Sequence, residues 1–561
     1  MKYFSRSPLS AVISFSLLLS CATKNSTPSK ELISQINLKR GELISCGVSN
    51  TKFGTLEFEM SCSTEEKKDF NLAVELLHSF EYDEAEKVFA EIIDKAPECA
   101  MAYWGVAMSN FHPLWTPPTT PELQKGAKAI EVATTIINKS TRETAYINAI
   151  GAFYHDWQKL DHHTRCLNFE NAMEKLHKTY PADKEAAIFY ALALDAAAEP
   201  TDLTYEKQKK AGSILSTLYP GAPDHPGIIH YIIHTYDYPG LAVLALPAAR
   251  KYASVAPSSS HALHMPSHIF TRLGLWDECI KSNLMSVSAA KCYAESAGFK
   301  GHWDEEYHGL DYLVYAYLQK GENELASDQL KYLQTITEAY PINFKVAYAF
   351  AAIPSRIVLE NKKWPEAASL SLYPTDFPWK KFPWQEAIVH FTRLLGAVHS
   401  DQLDSSRSEL TKLTQLRNVL LKEKDFYKAH QVEVQIKTGE AWIEFMKGDK
   451  NRASHLMELA SDMEDSTEKH PVTPGEVIPA RELWGDMLMQ MREYENALQA
   501  YEAVLQKSPN RFNSLYNAGR AAEKSGNREK AAFYYKQLEA IASSANPNRA
   551  ELVAARSFVA K

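Results

Sequence analysis

The sequence predicts an all-α fold of stacked helical hairpins, and three observations lead to it. Gly485, Ala497 and Tyr501 are answered by Gly519, Ala531 and Tyr535, each pair 34 residues apart. A fixed period of this length marks a unit that cannot bury its apolar face alone and stacks on copies of itself. Apolar residues recur three and four apart through these units, the helical spacing. Pro97 and Pro509 stand where second helices end, because proline cannot continue the hydrogen-bond ladder. Finally, no run of alternating β-branched residues bounded by turns marks out a sheet. A chain of 561 residues is too long for one compact core, but a solenoid reaches that length by adding units that touch only their neighbours.

A small residue early, Ala at the helix crossing and an aromatic four residues later resemble the tetratricopeptide repeat (TPR). Asn71 to Pro97 fits the same template, with Ala73, Ala85, Phe89 and Pro97 in register. Weaker copies place a turn before a helix at Gly274-Leu275-Trp276, at Gly321 with Ala326, at Trp364 to Ala367, and at Gly448 with Ala453. Gly274 and Gly321 are 47 apart rather than 34, so insertions interrupt the array. Phe111 to Pro121, Ser254 to Pro266 and Ser466 to Pro479 read as such insertions. The expectation is a helix-turn-helix TPR-like solenoid with irregular insertions. It divides into a signal peptide (1–20), a polar tether (21–45), a long array carrying the histidines (46–440) and C-terminal repeats (441–561). Leu76 to Trp115 and His225 to Glu278 look like signature blocks of a widespread group of bacterial TPR proteins without an assigned biochemical role. That resemblance implies the fold and leaves function blank.

The N-terminus carries an address. Lys2 and Arg6 precede an apolar and Ser-rich run from Pro8 to Leu19, and Leu18-Leu19-Ser20-Cys21 follows. This is a secretory signal, too short to span a bilayer. Its last four residues resemble a bacterial lipobox, which implies acylation at Cys21. Ala22 to Lys30 reads as the flexible start of the tether. By the same resemblance, no Asp follows the Cys, which implies outer-membrane anchoring on either face. Export permits disulfides. Cys46 and Cys62 bracket a short Gly-containing stretch and are candidates to bridge, whereas Cys99 and Cys279 sit in helical patterns as small apolar residues. No Cys-x-x-Cys occurs, so a thiol redox motif or zinc ribbon has no support.

A net charge of -8 and the lack of a Lys/Arg run argue against a nucleic-acid partner. There is no Gly-rich phosphate loop, no G-x-S-x-G elbow and no Ser-x-x-Lys. TPR grooves bind partners, so the first expectation is a tethered scaffold docking a protein or an oligosaccharide. In architecture alone, a helical lipoprotein of this length also resembles the SusD-like proteins that pass glycans to an uptake channel, which implies a role in polysaccharide utilisation. Trp104 and Trp115 are candidates to stack on sugar, although Tyr103 and Trp104 stand where a first helix packs.

The rival reading is a metal-dependent enzyme, hydrolytic or oxidative. Asp224-His225-Pro226 starts a helix and Pro239-Gly240 stops it. On it His230, His234 and Asp237 fall at i, i+4 and i+7, one stripe of two imidazoles and a carboxylate. That set can grip Zn, Fe, Cu or Mn, but no Glu follows His230, so the metalloprotease pattern is missing. His261, His264 and His268 form a second set, with Pro266 disfavouring helix at Met265 and leaving His261 and His264 on a loop. His302, His308 and Asp311 form a third, after the acidic helix start Asp304-Glu305-Glu306. The adjacent pair after Asp161, His162 and His163, faces different sides of a helix. Polar groove lining, proton transfer and metal ligation all stay open for the three sets. The candidate ligands are His230, His234, Asp237, His264, His268, His308 and Asp311.

Overall fold

The computed structural model describes residues 1, 27–47, 52–199 and 202–561. The signal peptide and Cys21 lie outside the described residues. The chain is an all-α solenoid in which helical hairpins follow one another and each helix packs on the next. Among the described residues the only strands are two-residue pieces, His302–Trp303 and Ala339–Tyr340, paired in parallel. No described helix is long and apolar enough to cross a membrane.

The 34-residue echo has a steric cause. Gly485 on the Ala480–Met491 helix receives the ring of Tyr501 from Tyr494–Lys507, and a Cβ at Gly485 would lie 2.6 Å from that ring. One unit later Gly519 receives Tyr535 in the same way, at 2.5 Å. Glycine in the first helix is therefore the hole and tyrosine in the second the knob, with Ala497 and Ala531 buried at the crossing. Gly105 receives Phe89 by a similar fit near the N-terminus, with the knob on the preceding helix. The four weaker copies also hold: each turn leads into a helix, at Trp276–Ser296, Asn323–Thr335, Trp364–Ala368 and Lys450–Asp465.

Several details depart from expectation. Much of the stretch assigned to a tether is fixed to the body. Ile36 and Leu38 are buried, and the Lys39 and Ile44 amides donate to Glu86 and Glu84 of the Tyr82–Lys95 helix, at 2.6 and 2.9 Å. The 440/441 boundary falls inside the Phe426–Met446 helix, and the C-terminal repeats' own core runs from Leu488 to Ala555. The pairing of Cys46 with Cys62 is overturned: Cys46 joins Cys292, and Cys62 joins Cys99. Cys99 is thus a cross-link at a helix start rather than apolar filler, while Cys279 is a buried free thiol.

The inner face is filled instead of open. Arg511 is buried and donates to both oxygens of Glu482 (3.0 and 2.9 Å) and to Glu360 (2.8 Å), drawing the last repeats back onto the middle of the chain. The Ser466 to Pro479 insertion crosses the interior. Glu468 accepts from Tyr205 (2.5 Å), Lys469 donates to Asp237 (3.2 Å) and the Gly475 carbonyl accepts from Arg356 (2.9 Å). The expected docking groove is occupied there by the protein's own chain.

Candidate metal centre

Six histidines converge in this interior as two triads. His230, His234 and His261 bring one ring nitrogen each within 4.8 Å of one another, and so do His264, His268 and His308. The helices explain the grouping. His230 and His234 stand a turn apart on Pro226–Thr235, which His225 caps at its N-terminus. His261 and His264 lie on Ser260–His264, and His268 follows on Pro266–Arg272. Met265 between them is helical (φ -51°, ψ -37°), so His261 and His264 are on a helix and not a loop. The helical path survives because Pro266 takes the first position of the next segment, where a missing N–H costs least. His308 comes from Asp304–Gln319.

The outward nitrogens are anchored, and this fixes where the protons sit. His230 Nδ1 donates to the His78 carbonyl at 2.6 Å. His264 Nδ1 donates to Asn283 Oδ1 at 2.7 Å, and the Asn283 amide is oriented by its own donation to the Cys279 carbonyl at 2.8 Å. His268 Nδ1 donates to Asp237 Oδ2 at 3.0 Å. Each of these rings therefore carries its proton on Nδ1 and turns a bare Nε2 lone pair inward. His264 Nε2 and His268 Nε2 face each other at 3.1 Å with no hydrogen between them. The Tyr312 hydroxyl, 3.5 Å from His268 Nε2, is too far to resolve the conflict.

An added proton is opposed by the surroundings. Burial lowers the pKa of His264 well below the ordinary imidazole value, and the neighbouring His268 adds to this. Burial also lowers His268, against the pull of Asp237. His230, His234 and His308 are likewise pushed well down by burial, and His261 is pushed down to about 3. All six are neutral donors at neutral pH.

Two candidate carboxylates stand outside both triads. Asp237 lies beyond the end of its helix, out of the predicted stripe, and holds His268 from behind while accepting from Arg272 (2.9 Å) and Lys469. Burial would raise its pKa, but Lys469 and Arg272 outweigh this and hold it well below the carboxylate range. Such an outer partner orients a ligating imidazole and raises its basicity. Asp311 pairs with the buried Arg356 instead, and burial pushes it up to about 6. His302 is engaged by Glu306 at 2.7 Å, outside both triads.

Three further residues were not singled out from the sequence. His78 and His225 donate to the two oxygens of Glu185 at 2.9 and 2.7 Å, forming a third buried group beside the first triad. Gly227 makes room for the His78 ring, where a Cβ would lie 2.4 Å away. A usable signal was present in the sequence: His230 and His264 are 34 apart, and so are His234 and His268, the repeat period itself. Trp115, from the proline-rich insertion, lies with its ring 5.1 Å from His234, the one half-buried member of the triads, while Trp104 is core. Asp161 caps the His162–Thr179 helix, and His163 pairs with Glu199.

No family model matches this sequence, and no curated protein is similar to it. Among solved structures, the human IFIT1 dimer with m7Gppp-AAAA is similar at a TM-score of 0.34 and 11% identity, covering 83% of this chain and 95% of that one. A likeness at that level carries no argument about this protein.

Proposed function

We propose that this helical-repeat scaffold works as a metalloprotein, holding a transition metal in its interior through histidine Nε2 atoms. The observation that carries the reading is the 3.1 Å approach of the bare nitrogens of His264 and His268. Two lone pairs in a dry interior repel unless a cation lies between them, and burial disfavours a proton there. An all-imidazole set suits Zn, Cu, Fe or Ni and not Mg, Ca or Mn, whose preference is for oxygen. Three protein ligands leave a coordination position open, as catalytic sites do. The half-buried His234 beside Trp115 marks the side from which a small molecule enters. Export and acylation at Cys21 belong to the same proposal, supported by two disulfides that favour an oxidising compartment.

Elemental analysis of the full-length chain, purified without chelator, tests this beside a His264→Ala/His268→Ala variant. The reading expects a transition metal in the wild type and less of it in the variant, the share held between His264 and His268 being lost while the helical circular dichroism survives. No metal in the wild type contradicts it and restores a tethered scaffold that docks a protein or an oligosaccharide as the better account.

A further inference from the structure

The centre is built twice by one rule. In each triad an i, i+4 histidine pair, on one helix or on two consecutive helical segments, is completed by a third histidine from a later helix: His261 joins His230 and His234, and His308 joins His264 and His268. The pairs are one repeat period apart, and the first member of each pair has its Nδ1 fixed by an acceptor, the His78 carbonyl or Asn283 Oδ1. Stacking of successive units then sets the two triads side by side. His261 and His264 share a helix, and the rings of His234 and His268, one from each triad, are 6.3 Å apart.

The charge around the six imidazoles selects what they hold. Asp237 pairs with Arg272 and Lys469, Glu468 with Arg272, and Asp304 and Glu305 with Lys345. Among these ion-paired groups four carboxylates stand against three cations, a net charge of -1, and the donors themselves are neutral. Two monovalent ions bring this shell to +1, whereas two divalent ions bring it to +3 and require a bridging anion. Uncompensated buried charge is costly. The monovalent first-row ion that accepts three imidazoles is Cu(I), and imidazole is a donor that suits copper.

We infer that the two triads form one dinuclear copper centre, each triad binding a single Cu(I) through three Nε2 or Nδ1 atoms. The inference rests on the metal-binding reading above and adds ion count and identity. The test uses the full-length chain stripped of metal and loaded anaerobically with Cu(I), kept reduced with ascorbate in place of a thiol so that the disulfides survive. A parallel sample is loaded with Zn(II). Two equivalents of copper retained by the wild type are expected, falling to one in His234→Gln and to one in His308→Gln. Equimolar Zn(II) should displace neither ion. X-ray absorption at the copper edge of the wild type gives a readout independent of the variants, in case one fails to fold. It should show three nitrogen neighbours per copper and a metal–metal scattering path. A single equivalent in the wild type, no metal–metal path, or replacement of copper by zinc overturns the dinuclear copper centre while leaving a metal site. Retention of neither ion removes both inferences.

Discussion

The buried group of His78, Glu185 and His225 is complete without a cation, whereas the triad of His264, His268 and His308 is not. In the group of His78, Glu185 and His225, each imidazole donates Nε2–H to its own carboxylate oxygen. His78 Nδ1 then accepts from Tyr231, and His225 Nδ1 from the Ile228 amide. Every donor meets an acceptor. Burial pushes the Glu185 pKa up, but His225 and His78 outweigh it and hold the carboxylate well below its usual range. In the group of His264, His268 and His308, the second partners are a side-chain amide and a carboxylate that claim the Nδ1 protons, leaving two lone pairs opposed. His78 links the closed group to the triad of His230, His234 and His261, because its side chain meets Glu185 while its carbonyl anchors His230. Proximity of histidines is thus a poor guide to metal binding, and proton bookkeeping separates the cases.

The largest expected effect is on the closed cluster. Glu185→Ala strands two buried imidazoles and should cost about 3–5 kcal/mol of stability, the same with or without metal, read by denaturant unfolding. Equal loss only in the metal-loaded form would break the distinction. Next comes stabilisation by metal. At a thousandfold excess over Kd, a ligand bound only by the folded state adds about 4 kcal/mol, so metal should raise Tm of the wild type and of His225→Gln by more than it raises that of His268→Ala. A third and smaller effect on the centre follows from the outer partner: Asp237→Asn should weaken metal affinity about 10–100-fold, measured by chelator competition.

The last effect is on pH dependence. His261 has a folded pKa of about 3, below its unfolded value near 6.5. The unfolded chain therefore binds the proton first as pH falls. Stability is fully present above about pH 6.5 and is lost progressively down to about pH 3. In the same window protons compete for the Nε2 lone pairs, so the gain in Tm from metal should shrink as pH drops below about 6.5. A gain unchanged at pH 5 would count against imidazole ligands.

The fold was largely legible because its signals are local. A glycine hole and a tyrosine knob recur at fixed spacing, and each predicted turn leads into a helix. The histidine pairs on Pro226–Thr235 and around Pro266 were legible too, as i, i+4 spacings. What stayed hidden depends on contacts between distant residues. Cys46 meets Cys292 across 246 residues, a pairing no nearby spacing can reveal. Asp237 looked like a ligand because its helix was carried on to Pro239, past its end at Thr235. Lys469 reaches Asp237 from an insertion read only as an interruption, so the filled interior was read as a groove. Asp311 fitted the helical spacing but faces Arg356, 45 residues away.

Anomalous diffraction from crystals of the full-length protein, grown without chelator and measured at metal absorption edges, tests the central claim most directly. The account predicts peaks among the Nε2 atoms of the six-histidine triads and none at Glu185. A peak at Glu185, or no peak between His264 and His268, would contradict it.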